Sequence, residues 1–306
     1  MTDDEKHQLD KAFSEIANRV WTSKIVKPDD AIPELFHYTN AAGLLGILRS
    51  RSLWATHFQS LNDASEMHYG MKQVRDLINA KKEIDEKRFL LSAMGLLDAA
   101  FIPVGTPYVV SFCPVGDLLS QWREYGDRGS GFSIGFDFIE LSGIFGTGTS
   151  VLKIEYRPNV QLEILSDTLD AAWSILQLWE SKCGQQRFTL SLPSAEGTIE
   201  DHCRWQLVSL LLGECATFKN PGFREEQELR LVRLGEGDSP RKFRTGRFGM
   251  VPYIELSPPS GQKLPIKKIM QGPTADPTAA GGSVQMLLED YGYADVSVEV
   301  STIPLR

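Results

Sequence analysis

One stretch of the sequence, residues 35–56, constrains the fold more than any other. Its first five residues, LFHYT, combine aromatic and β-branched side chains and predict a short buried strand. Asn40 is a good N-cap, and the apolar face that follows predicts a helix that ends at residues 49–51. A second strand is predicted from Ser52. This part of the chain is therefore expected to form a strand, a helix and a strand.

His37 and Thr39 are the chemically interesting residues of this stretch. They are two positions apart, so on a strand their side chains point to the same face. An imidazole and a hydroxyl that point the same way, beside the start of a helix, could hold a small polar ligand. A lone histidine is more often structural than catalytic, so the prediction depends on this strand–helix–strand setting.

Length and composition indicate a globular protein. The chain has 306 residues, enough for one large domain or two small ones. A net charge of −8 gives no general attraction to nucleic acid, although residues 241–247 form a local basic patch. No run approaches the roughly 18 apolar residues that span a bilayer, and the first residues lack the pattern of a signal peptide. We therefore expect a cytoplasmic protein without a membrane partner.

Several common chemistries have no motif in this sequence. It contains no GxGxxG before a helix, no GxxxxGK[ST] and no HExxH. The cysteines lack the CxxC spacing of zinc sites, so we predict reduced thiols and no metal. The four positions are Cys113, Cys183, Cys203 and Cys215.

The predicted organisation is one main domain with two helical additions. Residues 1–30 are expected to form an N-terminal helix, because apolar side chains recur at spacings of three and four. Residues 31–306 are expected to form a single α+β domain. Residues 158–218, approximately, are rich in tryptophan and leucine and are predicted to form a helical insertion in that domain.

A short helix at residues 120–126 is predicted between strands at 107–113 and 130–137. It could expose Gln121, Trp122, Arg123 and Tyr125, a mixture of rings, amide and guanidinium that suits a nicotinamide or adenine face. The alternative is that Trp122 and Tyr125 anchor the core and keep only their polar tips accessible. The sequence alone favours neither interpretation.

Residues 222–232, GFREEQELRLV, form the second candidate stretch. If they form a strand, the leucines at 229 and 231 face the core, and Glu226, Glu228 and Arg230 share the opposite face. Two carboxylates and a guanidinium on one strand face would be suited to catalysis. The alternatives are an exposed edge strand protected by charge, or a helix that begins near Phe223.

The first stretch resembles the opening of the ADP-ribosyltransferase superfamily, in its histidine-bearing, diphtheria-toxin-like branch. The shared pattern is His-x-Thr, a short helix that ends in Ile-Leu, a turn and a strand. The pieces SLNDASE, SQWREYG, GFREEQELRLV and STIPLR also look like one large bacterial family classed as a domain of unknown function. The superfamily resemblance implies a split mixed or antiparallel sheet flanked by helices, with NAD as the substrate.

The same resemblance implies roles for particular residues. The strand that carries His37 would bind the nicotinamide ribose end of NAD. Glu228 would hydrogen-bond the ribose 2′-hydroxyl and stabilise the oxocarbenium-like charge of the transition state. Glu226 could orient or deprotonate the acceptor, and Arg230 could position the carboxylates and favour their ionised form. An aromatic residue is also expected to stack on nicotinamide. The candidates are Tyr38, Trp122 and Tyr125.

The predicted function is an NAD-dependent ADP-ribosyltransferase that transfers ADP-ribose to a protein or nucleic acid. By analogy with the bacterial look-alike family, it would act as a toxin or in phage defence. The alternatives are an NAD glycohydrolase and a non-catalytic nucleotide sensor, the latter favoured if His37 and Glu228 do not converge. The predicted catalytic residues are His37, Glu226 and Glu228. The predicted NAD-binding residues are His37, Tyr38, Thr39, Thr56, Ser111, Gln121, Trp122, Arg123, Tyr125 and Arg230.

Overall fold

The structure is a computed structural model, and it describes most of the chain. The described residues are 2–27, 30, 32–61, 64–99, 107–146, 148–183, 198–235, 239–246, 249–274 and 277–304. Residues Asn62 and Asp63 of the SLNDASE piece and the last two residues of the STIPLR piece lie outside these ranges.

The described residues form helices and strands in a mixed order along the chain. The α-helices are α1 Asp3–Thr22, α2 Ala41–Ser50, α3 Ala64–Ala80, α4 Ile84–Ala99, α5 Leu119–Glu124, α6 Phe138–Ile144, α7 Pro158–Cys183, α8 Ile199–Cys215 and α9 Pro277–Asp290. The strands are β1 Glu34–Thr39, β2 Leu53–His57, β3 Pro107–Phe112, β4 Phe132–Asp137, β5 Thr149–Lys153, β6 Leu229–Leu234, β7 Lys242–Gly246, β8 Gly249–Leu256, β9 Ile266–Gln271 and β10 Ser297–Val300.

The chain divides into two compact units. The helical unit comprises Met1–Lys24, Leu61–Pro107 and Glu155–Pro221, and the sheet unit comprises Ile25–Ser60, Tyr108–Ile154 and Gly222–Arg306. The predicted α+β class is confirmed, since helices and two sheets occur together. None of the described helices is both long enough and apolar enough to cross a bilayer.

The helical unit contains the predicted N-terminal helix and the predicted insertion. In α1, Thr2 and Glu5 form a capping box, and Leu9, Phe13 and Ile16 are buried, as the apolar stripe predicts. A second capping box, formed by Thr198 and Asp201, begins α8. These local signals explain why α1 begins at Asp3 and α8 begins at Ile199.

A buried polar cluster lies in the interior of the helical unit. Lys24 donates to the hydroxyl of Thr217 and lies 4.4 Å from the ring centre of Phe218. Thr168 donates to Glu214 Oε1. Burial lowers the pKa of Lys24 to about 8 and raises the pKa of Glu214 to about 8. Near neutral pH, Glu214 is therefore mostly protonated and neutral, whereas Lys24 still carries its charge and loses it more readily than an exposed lysine.

The sheet unit contains two sheets. The four-stranded sheet has the order β1-β4-β9-β10, and the six-stranded sheet has the order β5-β6-β3-β2-β8-β7. The pair β9–β10 is parallel and β1–β4 is antiparallel, so the four-stranded sheet is mixed. Apolar side chains of both sheets form one core cluster, which includes Leu35, Phe112, Ile134 and Leu231.

The predicted strand–helix–strand opening is confirmed as β1, α2 and β2. The side chain of Asn40 accepts a hydrogen bond from the backbone of Gly43 at 2.8 Å, which is the predicted N-cap. Helix α2 ends at Ser50, and the residue that follows it, Arg51, has a left-handed φ of 50°. Leu44 and Leu48 face the core.

A backbone pair, Phe36 and Cys113, joins the two sheets. Phe36 N donates to Cys113 O at 2.8 Å, and Cys113 N donates to Phe36 O at 2.9 Å. Cys113 directly follows β3, so the end of a strand in the six-stranded sheet pairs with β1 of the other sheet. This junction places His37, the next residue of β1, beside β3.

The prediction that residues 222–232 form one strand is wrong at its first half. Strand β6 begins only at Leu229, and Glu226 ends a 3₁₀ helix that starts at Pro221. Gln227 has a φ of 46°, which reverses the chain and interrupts the alternation of a strand. Glu226 and Arg230 therefore do not share a strand face through simple alternation.

Candidate functional site

Glu228 and Arg230 form a buried ion pair at the beginning of β6. Arg230 Nε donates to Glu228 Oε1 at 2.7 Å and Arg230 Nη2 to Glu228 Oε2 at 3.0 Å. The Arg230 side chain is 1% exposed and that of Glu228 is 6% exposed. This bidentate geometry is the strong form of the arginine–carboxylate contact, and it fixes the orientation of the carboxylate.

Glu226 and Glu228 both lie close enough to Cys113 for their charges to affect the pKa of its thiol. Glu226 is buried, although it precedes the strand. Burial raises the pKa of the Cys113 thiol to about 11, and the charges of Glu226 and Glu228 act in the same direction. Both carboxylates therefore lie close to Cys113. Since Cys113 pairs with Phe36, they also lie near the strand that carries His37.

His37 is held by the backbone of β3. Its Nδ1 lies 2.9 Å from the carbonyl oxygen of Ser111, and its ring meets that of Phe112 edge-on at 5.9 Å. Burial lowers the pKa of His37 below 6.5, and the positive charge of Arg244 acts in the same direction. A carbonyl can only accept, so Nδ1 carries the proton and Nε2 of the neutral ring is an acceptor.

His37 and Glu228 are held by different hydrogen-bond partners. His37 bonds to Ser111, whereas Glu228 bonds to Arg230. On β1, His37 shares its face with Leu35, while Phe36, which pairs with Cys113, points to the other face. His37 thus lies on β1, whereas Glu228 directly precedes β6.

Thr39 and Thr56 differ in their surroundings. Thr39 shares the face of His37 on β1 and is half-buried. A Cβ added at Gly43 would lie 1.9 Å from Thr39 Oγ1, so the helix start approaches this hydroxyl closely. Thr56 is buried, and its hydroxyl accepts a hydrogen bond from Arg244 Nη2 at 2.9 Å. Arg244 was missed as a site residue, and the basic run at 241–247 was the only signal for it.

Tyr38 and Trp122 are core residues in this structure. The Tyr38 hydroxyl donates to Val115 O at 2.8 Å and accepts from Leu118 N at 3.0 Å. Its ring meets the Trp122 ring edge-on at 4.8 Å. Trp122 is fully buried and donates through Nε1 to Asp117 at 2.7 Å. For Trp122 the structure supports the core-anchor interpretation rather than the ligand-stacking one.

The four polar and aromatic residues of α5 and its end do not form a common exposed face. Gln121 is buried with Trp122, Arg123 is exposed, and Tyr125 is half-buried against the same apolar cluster. A six-residue helix that buries one side cannot present all four side chains to one ligand. Tyr125 is the aromatic candidate that keeps an accessible part.

Asp117 is a hydrogen-bonding centre that the sequence analysis missed. It accepts from Trp122 Nε1, from Ser301 Oγ at 2.6 Å and from Thr302 N at 3.1 Å. Burial alone would raise the pKa of Asp117, but these hydrogen bonds outweigh it and the pKa lies below 3.8. The C-terminal segment, including Ser301, is thereby tied to the start of α5.

Metal ligands do not gather in the part of the chain that the structure describes. No group of three or more His, Cys, Asp or Glu residues there is placed to hold a metal ion. Cys113, Cys203 and Cys215 are free and buried thiols.

Part of the chain is similar to a known protein family. Residues 121–231 match the model of a family described as "Protein of unknown function (DUF2971)". No match to the chain was found among curated proteins or among solved structures. The expected resemblance to a domain of unknown function is confirmed for this range, which includes Glu226, Glu228 and Arg230. Residues 121–231 are therefore similar to the DUF2971 family.

Proposed function

We propose that this protein is an ADP-ribosyltransferase-like enzyme. It would cleave the nicotinamide glycosidic bond of NAD and transfer ADP-ribose to a macromolecule. The observation that carries the proposal is the buried Glu228 carboxylate, held at both oxygens by Arg230 and close to the β1–β3 junction. A fixed carboxylate out of water is suited to stabilise positive charge that develops in a transition state.

The reaction would use that carboxylate at the ribose. The bond between ribose C1′ and the pyridinium nitrogen breaks, its electron pair goes to nitrogen, and neutral nicotinamide leaves. The oxocarbenium-like ribose is stabilised by the negative charge of Glu228. A nucleophile of the acceptor then forms the new bond to C1′, and its proton passes to a base. Glu226, buried near Cys113, is the candidate base.

His37 would contribute a fixed hydrogen-bond acceptor. The Ser111 carbonyl holds Nδ1, so the ring cannot rotate freely and Nε2 keeps its lone pair at neutral pH. A ribose hydroxyl is a suitable donor to Nε2. The neighbouring Thr39 hydroxyl on the same strand face could share in binding the sugar.

The second candidate is a nucleotide-binding sensor that does not cleave its ligand. One observation favours it: the described contacts tie His37 to Ser111 and Glu228 to Arg230, and none joins the two residues. A carboxylate whose charge is already shared with an arginine is a weaker partner for a developing cation. The same residues would then bind a nucleotide without cleaving it.

The experiment that separates these candidates uses NAD labelled on its adenine side. The purified protein is incubated with it, with and without cell lysate, and transfer of label to macromolecules is measured. We expect transfer by the wild type and by Glu225→Gln, which removes an exposed carboxylate one residue from Glu226. Glu228→Gln should abolish transfer. Saturable nucleotide binding without transfer or cleavage would instead support the sensor.

A further inference from the structure

The side-chain amide of Gln271 is buried and lacks hydrogen-bond partners among the described residues. It is the last residue of β9 and is 0% exposed. Neither Nε2 nor Oε1 has a hydrogen-bond partner among the residues that the structure describes. Leaving such a group unpaired costs on the order of 1–3 kcal/mol. Buried polar groups in folded proteins are usually paired, so this amide is a candidate binding group for polar atoms of a ligand.

Strand register places Gln271 on the face of the four-stranded sheet that also carries Thr39 and His37. Thr39 pairs with Phe132, and Phe132 pairs with Gln271. Directly opposed residues on neighbouring strands point to the same face of a sheet. Two strand spacings put the Cα atoms of Thr39 and Gln271 about 10 Å apart. The row therefore presents a hydroxyl, an aromatic ring and an amide, in that order.

The backbone beside Gln271 is strained. Three successive residues before β4, Asp127, Arg128 and Gly129, have φ values of 49°, 54° and 94°. This turn is bonded to the residues after Gln271, since Thr274 N donates to Gly129 O at 2.9 Å. Left-handed conformations at residues other than glycine cost on the order of 1–3 kcal/mol each and concentrate at ligand sites.

We propose that Gln271 binds the carboxamide of nicotinamide, an inference that rests on the proposed function. One primary amide matches another, since each offers an N–H donor and a carbonyl acceptor that pair reciprocally. The pyridine ring would lie against Phe132, and the ribose would extend toward Thr39 and His37. Gln271 thus becomes the residue that distinguishes NAD from nucleotides without a carboxamide. Because the amide is closed to solvent, the surrounding side chains open to admit the ligand.

Ligand discrimination tests this directly. Binding of NAD, nicotinic acid adenine dinucleotide and ADP-ribose is measured by calorimetry for the wild type and for Gln271→Leu. We expect the wild type to bind NAD more tightly than the nicotinic acid analogue. In Gln271→Leu the affinity for NAD should fall about tenfold to a hundredfold, and that for ADP-ribose should not change.

Thermal unfolding of the free protein provides an independent readout with a matched control. Gln161 is also fully buried, but its amide is paired: Nε2 donates to Lys219 O at 3.0 Å and Oε1 accepts from the Tyr69 hydroxyl at 2.9 Å. Gln161→Leu should lower the Tm, because it leaves these partners unpaired. Gln271→Leu should leave the Tm unchanged or raise it. A fall in Tm equal to that of Gln161→Leu would show that the Gln271 amide is satisfied within the protein and would overturn the inference.

The remaining outcomes show whether the role of Gln271 or the proposed NAD-dependent function is wrong. If the wild type binds none of the three nucleotides, the proposed function and this inference fall together. If it binds NAD and Gln271→Leu keeps the same preference over the nicotinic acid analogue, only the role of Gln271 is wrong. An equal loss for NAD and ADP-ribose would place the amide on the adenosine side and also overturn the assignment.

Discussion

Arg230 donates to both carboxylate oxygens of Glu228, and the pair is almost completely closed to solvent. A buried charge is tolerated only while its partner remains, because removal of one member leaves the other uncompensated out of water. The pair therefore couples the stability of β6 to the proposed chemistry. The two effects can be separated by changing one member or both.

Arg230→Met is expected to lower the free energy of unfolding by about 3–5 kcal/mol, since it removes the arginine that neutralises the buried Glu228 carboxylate. The double variant Arg230→Met with Glu228→Leu should recover much of that loss. Urea denaturation of both variants and the wild type measures this. Equal stabilities of the single variant and the wild type would show that the pair is open to water in solution.

The neutral state of His37 predicts a stability that depends on pH. Its pKa in the native state is below 6.5, so below that pH the unfolded chain binds a proton that native His37 does not take up. This contribution to stability is present above about pH 6.5 and is lost as the pH falls. Denaturation curves at pH 7.5 and 5.5 should show a smaller loss for His37→Gln than for the wild type. Identical losses would contradict the neutral assignment.

The helical unit should respond to pH in the opposite direction over a higher range. Native Glu214 keeps its proton up to about pH 8, whereas a glutamate in the unfolded chain loses it near 4.5. Between these values the native state binds more protons, so stability falls as the pH rises, by at most about 1.4 kcal/mol per pH unit. Hydrogen exchange of α8 amides across this range measures the effect.

The matched variant for that experiment is Glu214→Gln, which does not titrate and can still accept the hydrogen bond from Thr168. It should remove the decline between about pH 5 and 8. Lys24, whose native pKa is lowered to about 8, affects the range above that, where its depressed pKa makes stability rise with pH. A decline unchanged in the variant would assign the pH dependence to another group.

Trp122 is expected to act on stability and not on ligand binding. Trp122→Phe removes the Nε1 donor to Asp117 and part of a fully buried side chain, at a cost of about 1–3 kcal/mol. NAD affinity should not change. Tyr125→Leu, which alters a half-buried ring, should show the reverse: a small change in stability and weaker NAD binding. Calorimetry and urea denaturation of both variants check this pair of outcomes.

Local signals predicted the elements around the site well. The cap at Asn40 and the apolar spacing of α2 are encoded within a few residues, so β1, α2 and β2 could be placed from the sequence. The interpretation of residues 222–232 as one strand begins seven residues before β6, because nothing in EEQEL signals the left-handed conformation of Gln227.

Contacts between distant parts of the chain could not be predicted in the same way. Asp117 is tied to Ser301, which is 184 positions away, and no periodicity connects them. The same holds for Gln271, whose polar side chain at a buried strand end becomes significant only once its pairing with Phe132 is known. The candidate residues His37, Glu228 and Arg230 were selected by sequence motif. Of their hydrogen-bond partners, only the pairing of Glu228 with Arg230 could be anticipated.

The most direct test of the central claim is release of nicotinamide from NAD by the purified protein. Release is followed by chromatography for the wild type, Glu228→Gln and the control Glu225→Gln. The account predicts release by the wild type and the control, and a loss of at least a hundredfold in Glu228→Gln, as for removal of an electrostatic catalytic group. Equal release by Glu228→Gln and the wild type, or none by the wild type, would contradict it.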